Sequence, residues 1–496
     1  MNDFVLDISA ARPVNGKERI KVFFREKFID SRLESGYGIS ILSLAAIFIA
    51  FVVTKAGLTA GIGLIALALA LPMVLLCLYN IKATLVFTIV FSFFFSIIKR
   101  AVGNIQLGLV VDALIALMFF GLVLKQVQER NWKIRNNAVN KVILAWIVYN
   151  LLQLVNPTAE SRLAWFYTVR TFAGIMIMYY LLMYAIDNRN YFFLLIKIWI
   201  SLTILAMIYG YIQEYIGLMP FEERWATATK ERYALLFQAG KFRKFSYFSD
   251  PLVYGFMMAV TSILCFILAQ GPIKKGYKIS LYTISVLMMY AMLFSGTRTA
   301  FVLPMAAFLF YAVISFKKNI LIFGGVMGIV LLILLNIPAN NANLYRFQSA
   351  FNPTEDASYR TRARNQAFIQ PFIQKHPLGG GLGSVGEWGK KFSPWSPLAN
   401  FPPDSGFVRT AVEQGWLGLL LYCTLLFLVF KQGIHDYFRI RDPLLKNISL
   451  GMLTVLFSLV VANFPQEAIG QYPINILFFV AIALITKARE FDLVKT

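Results

Sequence analysis

Arg360, Arg362 and Arg364 head a group of side chains and backbone groups that could do chemistry together. Pro377-Leu378-Gly379-Gly380-Gly381-Leu382-Gly383 follows, and Pro402-Pro403-Asp404-Ser405 closes the stretch. All of it lies in one polar segment, residues 338–405. An arginine fork matches the oxygens of phosphate or carboxylate two at a time. Glycines let the backbone turn tightly and turn N–H groups toward an anion. Asp404 is a carboxylate able to take a proton from a hydroxyl. The glycine run is not a P-loop, because no Gly-Lys-Ser/Thr follows it, and no strand precedes it as a dinucleotide fingerprint requires.

The arginines belong to a predicted amphipathic helix over 358–374, with Ser358 as its cap after Glu355 and Asp356 and with His376-Pro377 as its stop. At about 100° per residue, Arg360 and Arg364 share a face with Ala367 and Phe368, while Arg362 points nearly the other way. The three therefore do not grip one phosphate from an ideal helix. Further ionisable residues sit within or beside apolar runs: Asp112, Arg170, Arg298 in Ser295-Gly296-Thr297-Arg298-Thr299, and Arg409 with Glu413 one turn on. Charges at membrane depth are costly and face a cavity or a partner. These five are expected to line one outward cavity, with Asp112 and Arg170 a structural pair. Asp250 in Phe248-Ser249-Asp250-Pro251 either caps the following helix or joins that outward site.

The elements that must hold these groups are membrane spans. The chain has 496 residues, 58% hydrophobic and 15% charged, where soluble domains carry about 25% charged residues. Apolar runs of about 17 to 25 residues suit about 30 Å of hydrocarbon. The runs give about fourteen spans (twelve to fourteen): 38–56, 59–79, 83–98, 107–125, 141–156, 165–186, 192–217, 251–270, 279–296, 299–316, 320–337, 406–430, 447–465 and 468–486. The fold class is an all-α polytopic membrane protein; the alternation of a transmembrane barrel is absent.

With the N-terminus inside, the inner segments hold 26 of the 47 lysines and arginines, as the positive-inside rule requires. Both termini are then cytoplasmic. The organisation is a basic tail 1–37, a membrane domain 38–337 of about eleven spans with an outer loop 218–250, the large outer loop 338–405, the last three spans in 406–486, and a tail 487–496. The large loop carries seven Lys and Arg against four acidic residues. Topology does not ask for that outward charge; an anionic ligand does, and a basic face beside phospholipid is the alternative. Residues 10–32 read as an interfacial amphipathic helix or as a disordered basic tail. Cys77, Cys265 and Cys423 all lie in apolar runs, and two histidines, His376 and His435, are too few for a His-based zinc site. No apolar leader marks a cleavable signal peptide.

The order of motifs resembles a known family. Ser295-Gly296-Thr297-Arg298-Thr299-Ala300 stands at an outward turn. Arg362 comes fifteen residues before Pro377-Leu378-Gly379, then Gly381-Leu382-Gly383-Ser384. Asp404-Ser405-Gly406 leads into Val412-Glu413-Gln414-Gly415-Trp416-Leu417-Gly418. This array over roughly 245–430 resembles the bacterial O-antigen ligase and polysaccharide polymerase superfamily. The resemblance implies a GT-C-type glycosyltransferase fold with a large periplasmic loop before the last three helices, in the bacterial inner membrane. It implies transfer of glycan from undecaprenyl diphosphate on the periplasmic side to an acceptor glycan or lipid A-core. Arg298 and Arg362 match the family's two diphosphate-binding arginines; Arg360, Arg364, Arg170 and Arg409 are further candidates. Glu413, Asp112 and Asp250 are secondary. Gln366 stands where an aromatic usually follows the loop arginine.

Ligases of the family carry a His where the loop re-enters the last spans. That position is Asp404 here, as in polymerase-like members, so Asp404 is the implied base and a polymerase is the leading expectation. His376 precedes the glycine run, where the family often has His without that role. A ligase acting on lipid A-core or protein is the alternative, and a transporter or flippase a further one. A transporter is expected to show polar residues on broken helices at the midplane, often in paired repeats. The expected partners are the lipid-linked glycan, its acceptor and membrane lipids, not nucleic acid. No metal or other cofactor is expected if arginines neutralise the leaving group.

Overall fold

The computed structural model describes residues 74–103, 107–129, 137–238, 240–316 and 357–493, with scattered positions in 40–54 and 322–348. The basic tail, most of the spans expected at 38–56, 59–79 and 320–337, and loop residues 349–356 lie outside the described residues. Contacts divide the chain into two units, Met1–Leu76 and Cys77–Thr496, and the helices that hold the candidate site belong to the second.

Eleven expected spans fall on described helices. In chain order these are α1 (Ile81–Val102), α2 (Gly108–Glu129), α3 (Ala138–Leu152), α4 (Arg162–Val169) running through a π turn Arg170–Gly174 into α5 (Ile175–Ala185), and α6 (Arg189–Tyr215). Loop 218–250 folds as α7 (Pro220–Thr227), α8 (Lys230–Leu236) and a short antiparallel hairpin of Phe237–Gln238 with Lys241–Phe242. Then come α9 (Pro251–Ala269), α10 (Lys275–Leu293) and α11 (Arg298–Ser315). The large loop contributes α12 (Ala357–Lys375) and α13 (Gly386–Phe392) before α14 (Gly406–Arg439), α15 (Pro443–Asn463) and α16 (Ile474–Leu493). Among the described residues ten helices are long and apolar enough to cross a membrane; α16, at 20 residues, is also long but ends in charged turns.

The core lies where helices are apolar on every side, as P-L-V-Y-G-F-M-M-A-V-T-S-I-L-C-F-I-L-A is in α9. Buried α9 packs against α6, α10, α11 and α15, and α15 and α16 are nearly as enclosed. Without water to drive burial, spans associate through close approach and interhelical hydrogen bonds. Gly210 of α6 takes the Tyr254 ring against its backbone, and Gly255 takes Ser295. Ser262 donates to the Ser285 carbonyl at 2.7 Å, Ser285 returns a bond to the Ser262 carbonyl at 2.8 Å, and Trp199 donates to Thr261 at 3.1 Å.

Connecting segments sort onto two ends. At one end Lys82 meets Asp187 at 2.6 Å, Arg189 meets Asp442 at 3.0 Å, and Arg489 donates to the Arg439 carbonyl at 2.8 Å. At the other, Arg100 donates to the Ser246 carbonyl at 2.8 Å, Lys244 N–H to the Phe294 carbonyl at 3.0 Å, and Gln153 to the Leu378 carbonyl at 3.1 Å. These are the two groups of segments that the charge pattern assigns to opposite membrane faces.

Candidate active site

The loop helix α12 starts at Ala357, so Ser358 lies in its first turn rather than at its cap. Its faces divide as the helical phase requires. Arg360 and Arg364 are exposed, as are Ala367 and Phe368. Arg362 is half-buried and shares its face with Asn365, Ile369, Phe372 and Ile373. Ile369 joins Val385, Leu398, Phe401 and Val412 in a small core that fixes this face on the loop and the start of α14. The same seating brings Asn365 to Asp404, where its amide donates at 3.1 Å. Arg362, one turn before Asn365, is thus carried on the face that meets the carboxylate.

Asp404 stands two residues before α14, whose N-cap is Ser405. Ser405 donates to the Asn463 carbonyl at 3.5 Å, and Gly406 packs directly on the Asn463 amide. A side chain at Gly406 would overlap Asn463, so small size here lets the helix start reach the end of α15.

Arg298 is the half-buried first residue of α11, after a turn that Gly296 completes at φ 57°. That turn is braced from loop 218–250. Arg243 donates to the Ser295 carbonyl at 2.8 Å and to the Thr297 hydroxyl at 2.9 Å. Nearby, Lys244 pairs with Glu214 at 3.6 Å, and burial pushes its ammonium pKa down despite that carboxylate. Asp250 caps α9, accepting from Leu252 and Val253 N–H at 2.8 and 3.0 Å.

The remaining charges form local pairs instead of one ring. Arg170 binds Asp112 at 2.8 Å, the expected pair, and it does so from the π turn that interrupts the span. Arg409 binds Glu413 at 3.3 Å and also Glu467, a partner that sequence reading did not identify. Arg409 lies 5.5 Å from the Phe172 ring centroid, which connects the two groups. A cavity of about 250 Å³ at this end of the protein is lined by none of the five. Arg170 and Arg409 already face carboxylates, which leaves them less suited to a second anion than Arg362, which makes no ion pair among the described residues.

The glycine run is also corrected. Its peptide groups serve the protein rather than a ligand. Gly380 N–H donates to the Val412 carbonyl at 2.7 Å, and the Pro377 carbonyl accepts from Trp416 N–H at 2.9 Å. Asn156 donates to the Leu378 and Gly379 carbonyls at 3.0 and 3.3 Å, and Thr158 also bonds the latter. Gly379 (φ 72°) and Gly415 (φ 68°) interlock backbone to backbone. Gly415 breaks α14, and the freed Gln414 carbonyl accepts from Tyr149 at 2.5 Å. A broken helix in a membrane needs such replacement partners. The residues that sequence reading missed (Asn365, Glu467, Arg243, Gln153 and Asn156) are polar side chains bonded across long sequence separations.

A helical membrane protein with arginines and a carboxylate in an end loop is the class that fold and site define. The family model described as O-antigen ligase matches residues 283–423, a segment holding Arg298, Arg362, Asp404, Arg409 and Glu413. This match supports the resemblance that the motifs implied: over that segment the chain is similar to the O-antigen ligase family. No curated protein matches the chain closely enough to be compared with it.

Proposed function

We propose that the protein is a polymerase-type glycosyltransferase with a GT-C-type fold in the bacterial inner membrane. It moves a glycan from undecaprenyl diphosphate to an acceptor sugar hydroxyl on the periplasmic side. The observation that carries the reading is the Asn365–Asp404 contact, which seats the Arg362 face of α12 on a carboxylate inside the family-matched segment. The positive-inside count supports setting this end of the protein outside, with both termini in the cytoplasm.

In this mechanism Asp404 takes the proton of the acceptor hydroxyl as its oxygen attacks the anomeric carbon. The bond to the diphosphate oxygen breaks on the opposite face, inverting that carbon. Negative charge builds on the diphosphate, and fixed positive charge at Arg298 and Arg362 stabilises it where water is scarce. Arginine takes the place a metal would otherwise fill. Asn365 holds Asp404 in position through its amide N–H, leaving the other carboxylate oxygen for the acceptor.

Arg298→Ala and Arg362→Ala are expected to abolish glycan transfer at normal protein levels. Full-length glycan made by both variants would overturn the reading. Deletion of the gene separates polymerase from ligase: a polymerase loses the chain-length distribution, whereas a ligase keeps free lipid-linked polymer and loses its attachment. Counterflow of solute in proteoliposomes without glycan product would point instead to a transporter.

A further inference from the structure

The cavity of about 250 Å³ has no arginine in its lining, which includes Glu160, Ser161, Phe372, His376, Ser384 and Ser396. We infer that it is a subsite for a neutral or amino sugar unit of the glycan, held apart from the reacting bond. This deepens the proposed function and rests on it.

The lining decides the ligand class. It contains one carboxylate and no lysine or arginine, so a phosphate or an acidic sugar meets no opposite charge there. It is instead rich in groups that bond hydroxyls. Glu160 accepts only, and it makes no ion pair among the described residues. His376 has a fixed tautomer: its Nδ1 lies 2.9 Å from the Phe372 carbonyl, which only accepts, so Nδ1 carries the hydrogen. In the neutral ring Nε2 is then an acceptor. The Ser384 hydroxyl is nine-tenths buried and finds no hydrogen-bond partner in the protein, a costly state unless a ligand or water completes it. Ser161 and Ser396 each accept from backbone N–H at 3.3 Å, and their own hydrogens remain to be donated. Phe372 and His376 stack at 4.1 Å, offering an apolar wall beside these polar groups. Sparse polar groups on an apolar wall are the usual make-up of a small-ligand site. The volume falls below the about 300 to 1,000 Å³ of drug-sized sites, which suits one sugar ring and not a lipid.

The position decides the role. Phe372 is ten residues along α12 from Arg362, on a related face, or about 15 Å at 1.5 Å per residue. That is farther than one sugar reaches. The subsite therefore holds a unit remote from the bond being made, and it acts on glycan affinity and not on the chemical step.

The test uses full-length protein in nanodiscs. The probe is the diphosphate-free saccharide released by mild acid from the lipid-linked glycan of the same strain. Its binding is measured by saturation-transfer NMR and titration. Glu160→Ala and His376→Phe, which retains the stacking ring, are each expected to raise Kd about tenfold, or about 1.4 kcal/mol. In transfer assays they raise KM with kcat kept; whether the donor or acceptor KM moves tells which chain occupies the site. Arg362→Ala is expected to leave saccharide Kd unchanged while abolishing transfer. The inference is overturned if wild-type protein does not bind the saccharide, or if Glu160→Ala and His376→Phe bind it as wild type does. Normal transfer with such unchanged binding would remove the subsite and keep the enzyme reading. Variant-sensitive binding with no transfer by wild type would keep the subsite and remove the enzyme reading.

Discussion

Gly379→Ala separates what a backbone conformation costs from what loop docking is worth. Gly379 has φ 72°, and a Cβ there would stand 2.5 Å from the Gly415 nitrogen and 2.7 Å from the Glu413 carbonyl oxygen. Both neighbours are main chain and have no rotamer to yield. Gly386 has nearly the same φ, 71°, with nothing within 4 Å of its Cβ position. Alanine at either glycine meets the left-handed penalty of about 1 to 2 kcal/mol. Only at 379 must the loop also lift from α14, breaking the Gly380–Val412 and Trp416–Pro377 hydrogen bonds. At about 1 kcal/mol each the extra cost is about 2 kcal/mol, or about a thirtyfold larger open population. Hydrogen exchange resolved on peptides covering 377–384 and 412–416 reads this directly. Gly379→Ala is expected to exchange about thirtyfold faster than Gly386→Ala over both peptides. Equal exchange in the two variants would show that the glycine interlock does not hold the loop.

Three further outcomes follow from the same geometry. Arg360→Ala and Arg364→Ala are expected to keep glycan transfer within about threefold of wild type, because both side chains are exposed, whereas Arg362→Ala loses about 10² to 10³ in rate, the usual effect of removing one oxyanion donor; single-turnover transfer by purified protein checks this. Asn365→Leu removes one hydrogen bond to a carboxylate, worth about 1.5 to 3 kcal/mol, so transfer is expected to fall at least about tenfold, but less than in Asp404→Ala. Asp112→Asn or Arg170→Gln alone leaves a partly buried charge without its partner; each is expected to lower the detergent melting temperature more than the double variant does, as a double-mutant cycle by differential scanning fluorimetry reports.

Most of the fold was legible because lipid imposes one rule on every span. A run such as Pro251–Ala269 must be apolar and helical, so composition alone locates it. Helix interruptions were less legible. The break at Gly415 depends on a replacement partner, Tyr149, that lies more than two hundred residues from Gln414, and the π turn at Arg170 leaves no mark in the hydrophobic pattern. The Asp112–Arg170 pair was readable because two charges at similar depth have few other partners. Glu467 was not, since nothing local ties it to Arg409.

The loop helix shows where the sequence held more than its reading extracted. Arg360 and Arg364 share their face with Ala367 and Phe368, and that face is exposed. At about 100° per residue, Ile369 lies about 20° from Arg362 and opposite Arg360, and Ile373 lies about 20° to the other side of Arg362. Two isoleucines with Phe372 are a stronger burial signal than one alanine with one phenylalanine. The apolar phase of the helix therefore already selects Arg362 as the arginine drawn toward α14. What it does not contain is Asn365 reaching Asp404, since a polar residue on a partly buried face gives no sign of its partner. Motif order singles out Arg362 and Asp404 separately; the seating of Ile369 in its small core is what brings Asn365, one turn from Arg362, to Asp404.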